Sequence, residues 1–268
     1  AIGDAWLVFE RVQAIMTMQS SQSGEEVVPK NIKQALDDPK WRHEAVFKEL
    51  NQLTVRETWI FVRKSAVDEL ASRQGKRQVL PSVWRLKLKD PIYNPDGEII
   101  QPAKRKGRIT VNGKKQFIES YDKSSTYAPV ADAATIRLML VIAALQGFYI
   151  RMADVCNAFA LCKLDEEIYM HPPAGMRRWM RETGQKMFYS PVEPDSTDYF
   201  DPKQPVNPND SFLLRLKTSL YGLHQAANLF YKIMKKALEV EGFTETREPC
   251  LFVRYEDPES GGDGSTSM

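Results

Sequence analysis

Hydrophobic residues recur every three or four positions in two parts of the chain, and this spacing predicts helices. The first part covers 31–53 and is broken at Asp37-Asp38-Pro39. The second runs from Ala133 to Gln146, with Asp132 as a candidate N-cap and Gly147 as a stop. Because this second segment is apolar on nearly all sides, we expect its helix to be buried.

Apolar and basic residues alternate along Val79–Lys89, which predicts a strand with one basic face. The turn signal Asn94-Pro95-Asp96-Gly97 follows, and a second basic strand is predicted over Lys104–Val111. These segments therefore predict a two-stranded basic hairpin. The cations on the shared face of the first strand are Arg85, Lys87 and Lys89.

Three further short strands are predicted, at Phe148–Ala153, Glu167–Met170 and Ser211–Leu216. A helix that ends at Gly242 follows the last of them. The fold class we predict is α+β. Residues 171–210 are proline-rich without a clear period, so we expect an irregular surface insertion of low order and without chemistry.

Composition and charge limit the possible functions. The chain is 43% hydrophobic and 27% charged, which is typical of a globular protein. The net charge is only +2, but Arg73–Lys123 holds 13 basic and 5 acidic residues and so carries +8. Such a segment suggests a polyanionic partner, nucleic acid or a triphosphate, although a solvated lysine-rich hairpin has the same composition.

The three cysteines are sparse and odd in number, which argues against a disulfide framework and fits a reducing compartment. We see no signal peptide and no apolar run long enough to span a bilayer. We therefore expect an intracellular protein, in a cytoplasmic particle or the nucleus, that is neither secreted nor bound to a membrane.

Asp154 stands at the predicted tip of the strand Phe148–Ala153. A carboxylate beside a turning backbone can hold a hard divalent cation against a phosphate. Phe159 places an aromatic ring five residues further on. From this stretch alone, an ordinary surface aspartate that closes a strand is the more frequent case.

Five ordered blocks together resemble the reverse transcriptase of copia-type LTR retrotransposons, the RNA-directed DNA polymerase region of the Pol polyprotein. The resemblance runs from about Val28 to about Asp257. The blocks are TYAPVADAATIR (126–137), DVCNAF (154–159), LDEEIYM (164–170), LKTSLYGLHQA (216–226) and PCLFVR (249–254).

This resemblance implies a right-hand polymerase fold that is incomplete here. A fingers-like region with the basic hairpin would occupy 28–130, and a partial palm 131–257, with the irregular insertion at 171–210. Residues 1–27 would be an N-terminal extension or linker, and 258–268 a flexible truncated tail.

The resemblance also implies nucleotidyl transfer with Mg²⁺, or alternatively Mn²⁺, on an RNA or DNA template-primer with deoxynucleotide triphosphates. Asp154 would be the catalytic carboxylate and a metal ligand, and the Val155 carbonyl a further ligand. Phe159 would act as a steric gate against a 2′-hydroxyl. The implied nucleotide-binding residues are Lys106, Arg108, Phe159, Tyr221, Gly222 and Gln225.

Some residues depart from the family pattern. Gly107 replaces a small Ala, and His224, Ala227 and Asn228 stand where Lys, Pro and Arg are usual. The Asp-Asp hairpin that would complete the metal site is not found after Arg254. We therefore expect the chain to be inactive by itself.

Two other functions remain open at this point. The chain could be a non-catalytic nucleic-acid-binding remnant or a host-adapted interaction module that keeps the basic hairpin. An unrelated phosphoryl-transfer enzyme is disfavoured because the sequence has no Walker-type glycine loop and no kinase signature.

Overall fold

The computed structural model describes residues 27–117, 121, 126–164, 166–192 and 204–255. The predicted tail 258–268 and all of the predicted extension 1–27 except Val27 lie outside these residues. Mixed helices and small sheets make up the described part, which confirms the α+β class.

The strands are β1 Trp59–Arg63, β2 Val79–Leu80, β3 Ser82–Lys89, β4 Ile92–Tyr93, β5 Ile99–Gln101, β6 Lys104–Val111, β7 Tyr169–Met170, β8 Phe212–Leu216, β9 Thr244–Glu245 and β10 Phe252–Val253. The α-helices are α1 Ile32–Asp37, α2 Pro39–Trp41, α3 Lys48–Val55, α4 Lys64–Gln74, α5 Ala133–Gln146, α6 Met176–Thr183 and α7 Ala226–Val240. A π-helical stretch, Arg42–Phe47, joins α2 to α3, and 3₁₀ turns cover Gly113–Lys115 and Ala158–Leu161.

The helical prediction for 31–53 is confirmed, including its break. Asp38 lies between α1 and α2, and its carboxylate accepts hydrogen bonds from the backbone N–H groups of Lys40 and Trp41 at 2.8 and 3.3 Å. This cap starts the second helix directly after the first has ended. Trp41 and Leu50 are fully buried, so the helical stretch supplies much of the core.

The largest sheet and the β3–β6 pair both pack against this core. The largest sheet has the order β1-β8-β7-β2, in which only the β2–β7 pair is parallel. The strand prediction for Ser211–Leu216 is confirmed by β8, whereas β7 is shorter than predicted. The core lies between this sheet, the helical stretch 32–55 and the inner face of the β3–β6 pair, where Ile109 is fully buried.

The predicted basic hairpin is present as an eight-pair antiparallel ribbon of β3 and β6, running from Ser82 opposite Val111 to Lys89 opposite Lys104. The predicted turn closes the smaller β4–β5 pair inserted between these two strands. Trp84, Leu86 and Leu88 pack against the core on one face of the ribbon. The other face carries the remaining cations of the ribbon, whereas Arg105 lies on the apolar side, opposite Leu88.

Three successive pairs on that second face place a cation directly opposite a cation. The pairs are Arg85 with Arg108, Lys87 with Lys106, and Lys89 with Lys104. We call these six residues the cation ladder. Like charges at directly opposite positions repel and destabilise a strand pair. The repulsion within the ladder lowers the stability of the ribbon, so we expect the ladder to serve a function that offsets this cost.

The helix α5 has the predicted ends. The Asp132 carboxylate accepts a hydrogen bond from the Ala134 N–H at 2.6 Å, and Gly147 stops the helix at a φ of +69°. Its predicted burial is wrong, because none of its residues is buried and Leu145 is 78% exposed. Among the described residues, few side chains pack on it.

The strand predicted at Phe148–Ala153 is also wrong, since this segment has no regular structure and Tyr149 is 99% exposed. A strand needs a neighbour to satisfy its backbone groups, and no strand of the described ranges lies beside this one. Asp154 therefore follows an extended, unpaired segment.

The predicted irregular insertion 171–210 is only partly irregular. Helix α6 lies inside it, and Met176, Trp179 and Met180 of this helix are buried in the main core. Their i, i+3, i+4 spacing is the helical signal that the many prolines obscured. Residues 193–203 of this segment lie outside the described part.

The last predicted helix is confirmed as α7, and Gly242 follows it at a φ of +82°. None of the helices that the structure describes is both long and apolar enough to cross a bilayer.

Candidate functional site

A pocket of about 240 Å³ opens beside the edge of β6 that does not pair with β3. One wall is the polar face of the helical stretch 44–56, and the opposite side is formed by 154–157 and Tyr221. Its cations from the ladder are Lys89, Lys104, Lys106 and Arg108. The lining is thus strongly basic.

Five residues that the sequence singled out line this one pocket: Lys106, Arg108, Asp154, Val155 and Tyr221. They come from three segments that are far apart along the chain. The exposed Asp154 carboxylate is close enough to favour the charged form of Lys106. Asp154 therefore faces the basic ribbon rather than an apolar interior.

The two central cations differ in their surroundings. Burial, followed by the neighbouring charges of Arg108 and Lys89, lowers the pKa of the Lys106 ammonium, while Glu49 and Asp154 oppose this shift. The guanidinium of Arg108 lies 4.0 Å from the ring centroid of Tyr221, a cation–π contact. An anion entering the pocket would relieve the repulsion between these cations.

Glu49 holds the unpaired edge of β6 to the helix α3. Its side-chain oxygen accepts a hydrogen bond from the backbone N–H of Ile109 at 3.3 Å, and the residue is 8% exposed. Burial raises the pKa of Glu49, against the effects of this hydrogen bond and of the charges on Arg108 and Lys106. Glu49 thus fixes the strand on which Lys106 and Arg108 lie.

The segment that presents Asp154 turns sharply. Asn157 has a φ of +53°, a left-handed conformation that asparagine tolerates better than most residues. The backbone carbonyl of Asn157 accepts a hydrogen bond from the Ala160 N–H at 2.9 Å and starts the 3₁₀ turn. Phe159 lies in that turn, and its ring centroid is 4.5 Å from that of Tyr221. Phe159 thus backs Tyr221 and is not itself part of the lining.

Gly222 follows Tyr221 with a φ of +98°, and a Cβ there would overlap the carbonyl oxygen of Val111. The Val111 N–H donates a hydrogen bond to the Tyr221 carbonyl at 2.7 Å. Gly222 therefore allows the loop to dock on the end of β6. In this structure the backbone that Gly222 approaches closely is that of Val111.

Gln225 was predicted to lie at the ligand, but it is 3% exposed and does not line the pocket. Its side-chain oxygen accepts a hydrogen bond from Gln116 Nε2 at 2.9 Å, and the Gln116 oxygen accepts one from the His224 N–H at 3.2 Å. Gln225 is therefore an internal residue that orders the loop in this structure, and its contact with a nucleotide stays a prediction.

The helical wall of the pocket was not predicted from the sequence. Glu44, Lys48, Gln52 and Arg56 all line it, and they recur at intervals of four. Polar residues at this spacing share one face of a helix, so the stripe could have been found from the sequence. What it could not show is that this face meets β6.

The donors available for a metal ion are few. Among the carboxylates of the lining, Glu49 is hydrogen bonded to Ile109 and Glu44 pairs with Arg105 at 2.7 Å, which leaves Asp154, next to Val155 in the chain. Within the described ranges no group of three or more His, Cys, Asp or Glu side chains could hold an ion. One carboxylate fits a Mg²⁺ ion that shares its coordination with substrate phosphates.

Comparisons with known proteins agree with the resemblance found in the sequence. The family described as reverse transcriptase (RNA-dependent DNA polymerase) matches residues 65–187. Retrovirus-related Pol polyproteins from transposons RE2 and RE1 of Arabidopsis thaliana are each 26% identical over 226 residues, which is 84% of this chain. That from transposon TNT 1-94 of Nicotiana tabacum is 25% identical over 229 residues, also 84% of this chain.

These matches confirm the resemblance to retrotransposon reverse transcriptases. The chain spans 12% of the length of the RE2 and RE1 polyproteins and 14% of that from TNT 1-94. No solved structure matches the chain.

Proposed function

We propose that the chain is a segment of a reverse transcriptase domain of the kind found in retrotransposon Pol polyproteins, to which it is similar, and that its cationic pocket binds the triphosphate of an incoming nucleotide for RNA-directed DNA synthesis. The observation that carries this proposal is the convergence of Lys106, Arg108, Asp154 and Tyr221 on one pocket. A triphosphate needs such a concentration of positive charge beside a ligand for its metal ion.

The roles of the cations follow from their chemistry. Arg108 offers a planar fork that suits two phosphate oxygens, and Tyr221 restricts its orientation. Lys106 supplies a compact charge, and a neighbouring anion would favour its charged form against the lowering of its pKa by burial. Glu49 keeps both on a fixed strand edge.

Asp154 and the Val155 carbonyl would hold Mg²⁺ together with phosphate oxygens. The ion, when bound, neutralises phosphate charge during nucleotidyl transfer. Phe159 supports Tyr221, and through it would shape the space near the sugar, which is how it could act against a 2′-hydroxyl. In this proposal the ribbon and the helical stretch correspond to polymerase fingers, and α5 with 148–157 to the palm.

Titration of the chain with a fluorescent deoxynucleotide triphosphate and Mg²⁺ tests the proposal. Arg108→Ala should weaken binding by about tenfold or more, because a charge-assisted hydrogen bond contributes about 1.5–3 kcal/mol. Lys236→Ala on the exposed side of α7 is the control and should bind like the parent. Equal affinities of Arg108→Ala and the parent would remove the pocket from the triphosphate site.

A second measurement addresses Asp154. Mg²⁺ should strengthen triphosphate binding by the parent but not by Asp154→Asn, which keeps the size of the side chain. Primer extension on an RNA template, lost in Asp154→Asn, would establish catalysis by this chain. Absence of extension agrees with the expected inactivity of the chain by itself. Salt-sensitive binding of nucleic acid without Mg²⁺-dependent binding of triphosphate would instead favour the non-catalytic nucleic-acid-binding function.

A further inference from the structure

The helical wall of the pocket carries two cations, Lys48 at the start of α3 and Arg56 directly after its end. Both side chains are exposed, and Gln52 lies between them on the same face of the helix. The rise of an α-helix places Lys48 and Arg56 about 12 Å apart along its axis. Their long side chains can therefore approach one ligand in the pocket from two directions.

The carboxylates near these two cations have other partners. Glu44 pairs with Arg105 at 2.7 Å, and Glu57 pairs with Lys217 at 2.7 Å. Within the part of the chain that the structure describes, neither cation of the helical wall forms an ion pair. The wall therefore keeps two positive charges for a ligand from outside the chain.

A structural role accounts for only one of the two cations. A positive charge after the last residue of a helix interacts favourably with the helix dipole, which is a structural reason for Arg56. Lys48 lies at the other end of α3, where the dipole offers no such gain. Lys48 also lines the pocket, so a ligand there accounts for both cations.

Two contacts fix the helical wall against β6. Gly107 packs so closely on the helical stretch that a Cβ there would lie 2.8 Å from the carbonyl oxygen of Ala45. Two residues further on, the Ile109 N–H donates to the Glu49 side chain at 3.3 Å. The cations of β6 and those of the helical wall are thus held at a fixed separation, and positive charge is preorganised on two sides of the pocket.

The position of Asp154 sets the direction of a bound triphosphate. In the proposed function Asp154 holds the metal ion at the α-phosphate, where the nucleotidyl group is transferred. The helical wall lies on the opposite side of the pocket from 154–157. The β- and γ-phosphates therefore extend from the ion towards the helical wall.

We infer that Lys48 and Arg56 bind the β- and γ-phosphates of the incoming nucleotide, the part that leaves as pyrophosphate. This inference rests on the proposed function for the place of the α-phosphate. A monophosphate held at Asp154 would not extend to the helical wall. Lys48 and Arg56 are therefore the residues by which the pocket distinguishes a triphosphate from a monophosphate.

The test compares two charge-matched double variants of the full chain. Lys48→Gln/Arg56→Gln removes both cations of the helical wall, and Lys232→Gln/Lys236→Gln removes two exposed cations of α7. Each protein is titrated with a deoxynucleoside triphosphate and its monophosphate in the presence of Mg²⁺, and with inorganic pyrophosphate alone. Thermal midpoints check that both variants are folded. Lys48→Gln alone leaves the end of α3 unchanged and repeats the test without any effect on the helix terminus.

The helical-wall variant should bind triphosphate and pyrophosphate at least about tenfold more weakly than the parent, whereas its affinity for monophosphate should fall by no more than about twofold. Lys48→Gln should show part of the same selective loss, and the α7 variant should match the parent with all three ligands. Equal affinities of the two double variants for pyrophosphate would overturn the inference. Equal losses for monophosphate and triphosphate, or a parent that does not bind pyrophosphate, would also overturn it.

Arg108→Ala separates this inference from the proposed function. Pyrophosphate binding that is lost in the helical-wall variant, together with an unchanged affinity of Arg108→Ala for triphosphate, would reject the proposed function alone. Triphosphate binding that is lost in Arg108→Ala but retained in the helical-wall variant would reject the role of Lys48 and Arg56 alone.

Discussion

The guanidinium of Arg108 lies over the ring of Tyr221, 4.0 Å from its centroid, and so joins the basic ribbon to the loop before α7. Phe159 supports the same ring from the turn that presents Asp154. The cation, the aromatic platform and the carboxylate are therefore mechanically linked, although they come from three separate segments. A substitution that removes the Tyr221 ring should therefore alter phosphate binding by Arg108.

We predict that Tyr221→Leu weakens triphosphate binding about twofold to fivefold, because an exposed cation–π contact contributes about 0.5–1 kcal/mol. Tyr221→Phe keeps the ring and should retain nearly all of the affinity. Tyr221→Leu in an Arg108→Ala background should weaken triphosphate binding little further. Losses that simply add in the double variant would show that Tyr221 acts independently of Arg108.

Gly222→Ala should destabilise the chain by about 3–5 kcal/mol in urea unfolding, since it combines a left-handed φ with an overlap on the Val111 carbonyl. Gly184→Ala is the matched control. Gly184 also has a positive φ, of +64°, but a Cβ there meets nothing within 4 Å. Its cost should be about 1–2 kcal/mol. Similar losses for both variants would argue against tight docking of Gly222.

The buried Glu49 carboxyl should make stability depend on pH. Because its pKa is raised in the folded chain, the folded state keeps a proton that the unfolded state has lost. Stability therefore falls as the pH rises from the ordinary value of 4.5 through the raised pKa, and is then level. The Glu49→Gln side chain does not titrate, but it keeps an acceptor for the Ile109 N–H.

Urea unfolding of the parent and Glu49→Gln at about pH 4 and about pH 7 measures this effect. The difference in unfolding free energy should move in favour of the variant as the pH rises. Glu49→Ala, which leaves the Ile109 N–H without its acceptor, should cost about 1–3 kcal/mol. A difference that does not change with pH would contradict the assigned burial of Glu49.

The exposed apolar side chains of α5 should contribute little to the stability of the chain. Leu138→Lys/Leu145→Lys should change the unfolding free energy by no more than about 0.5 kcal/mol, because both side chains are more than half exposed. Light scattering should show less self-association. Leu50→Ala, in the core, should cost about 2–5 kcal/mol. A comparable loss in the α5 variant would mean that this helix is covered in solution.

Local signals in the sequence predicted local structure well. The capping carboxylate of Asp132 and the left-handed Gly147 set the ends of α5 because each acts on its own helix terminus. Alternation predicted the ribbon and its basic face. The resemblance brought Lys106, Arg108 and Asp154 together as a prediction, and the structure places them in one pocket.

Features that depend on distant partners were not predictable in this way. The burial expected for α5 and the strand expected before Asp154 both require neighbours that hydrophobicity cannot identify. Gln225 carries a polar side chain suited to a ligand, and only its pairing with Gln116 reveals it as internal. The pairing of Arg85 with Arg108 depends on the ribbon's alignment, which the inserted β4–β5 pair conceals.

That alignment has a consequence for how the ribbon can vary. A slip of one residue would separate the facing cations, but it would also turn Trp84, Leu86 and Leu88 out into water and drive lysines into the core. Burial of the apolar side therefore fixes this alignment, although repulsion between the facing cations disfavours it. Charges on the outer side can therefore be added or removed singly while the strands keep their partners.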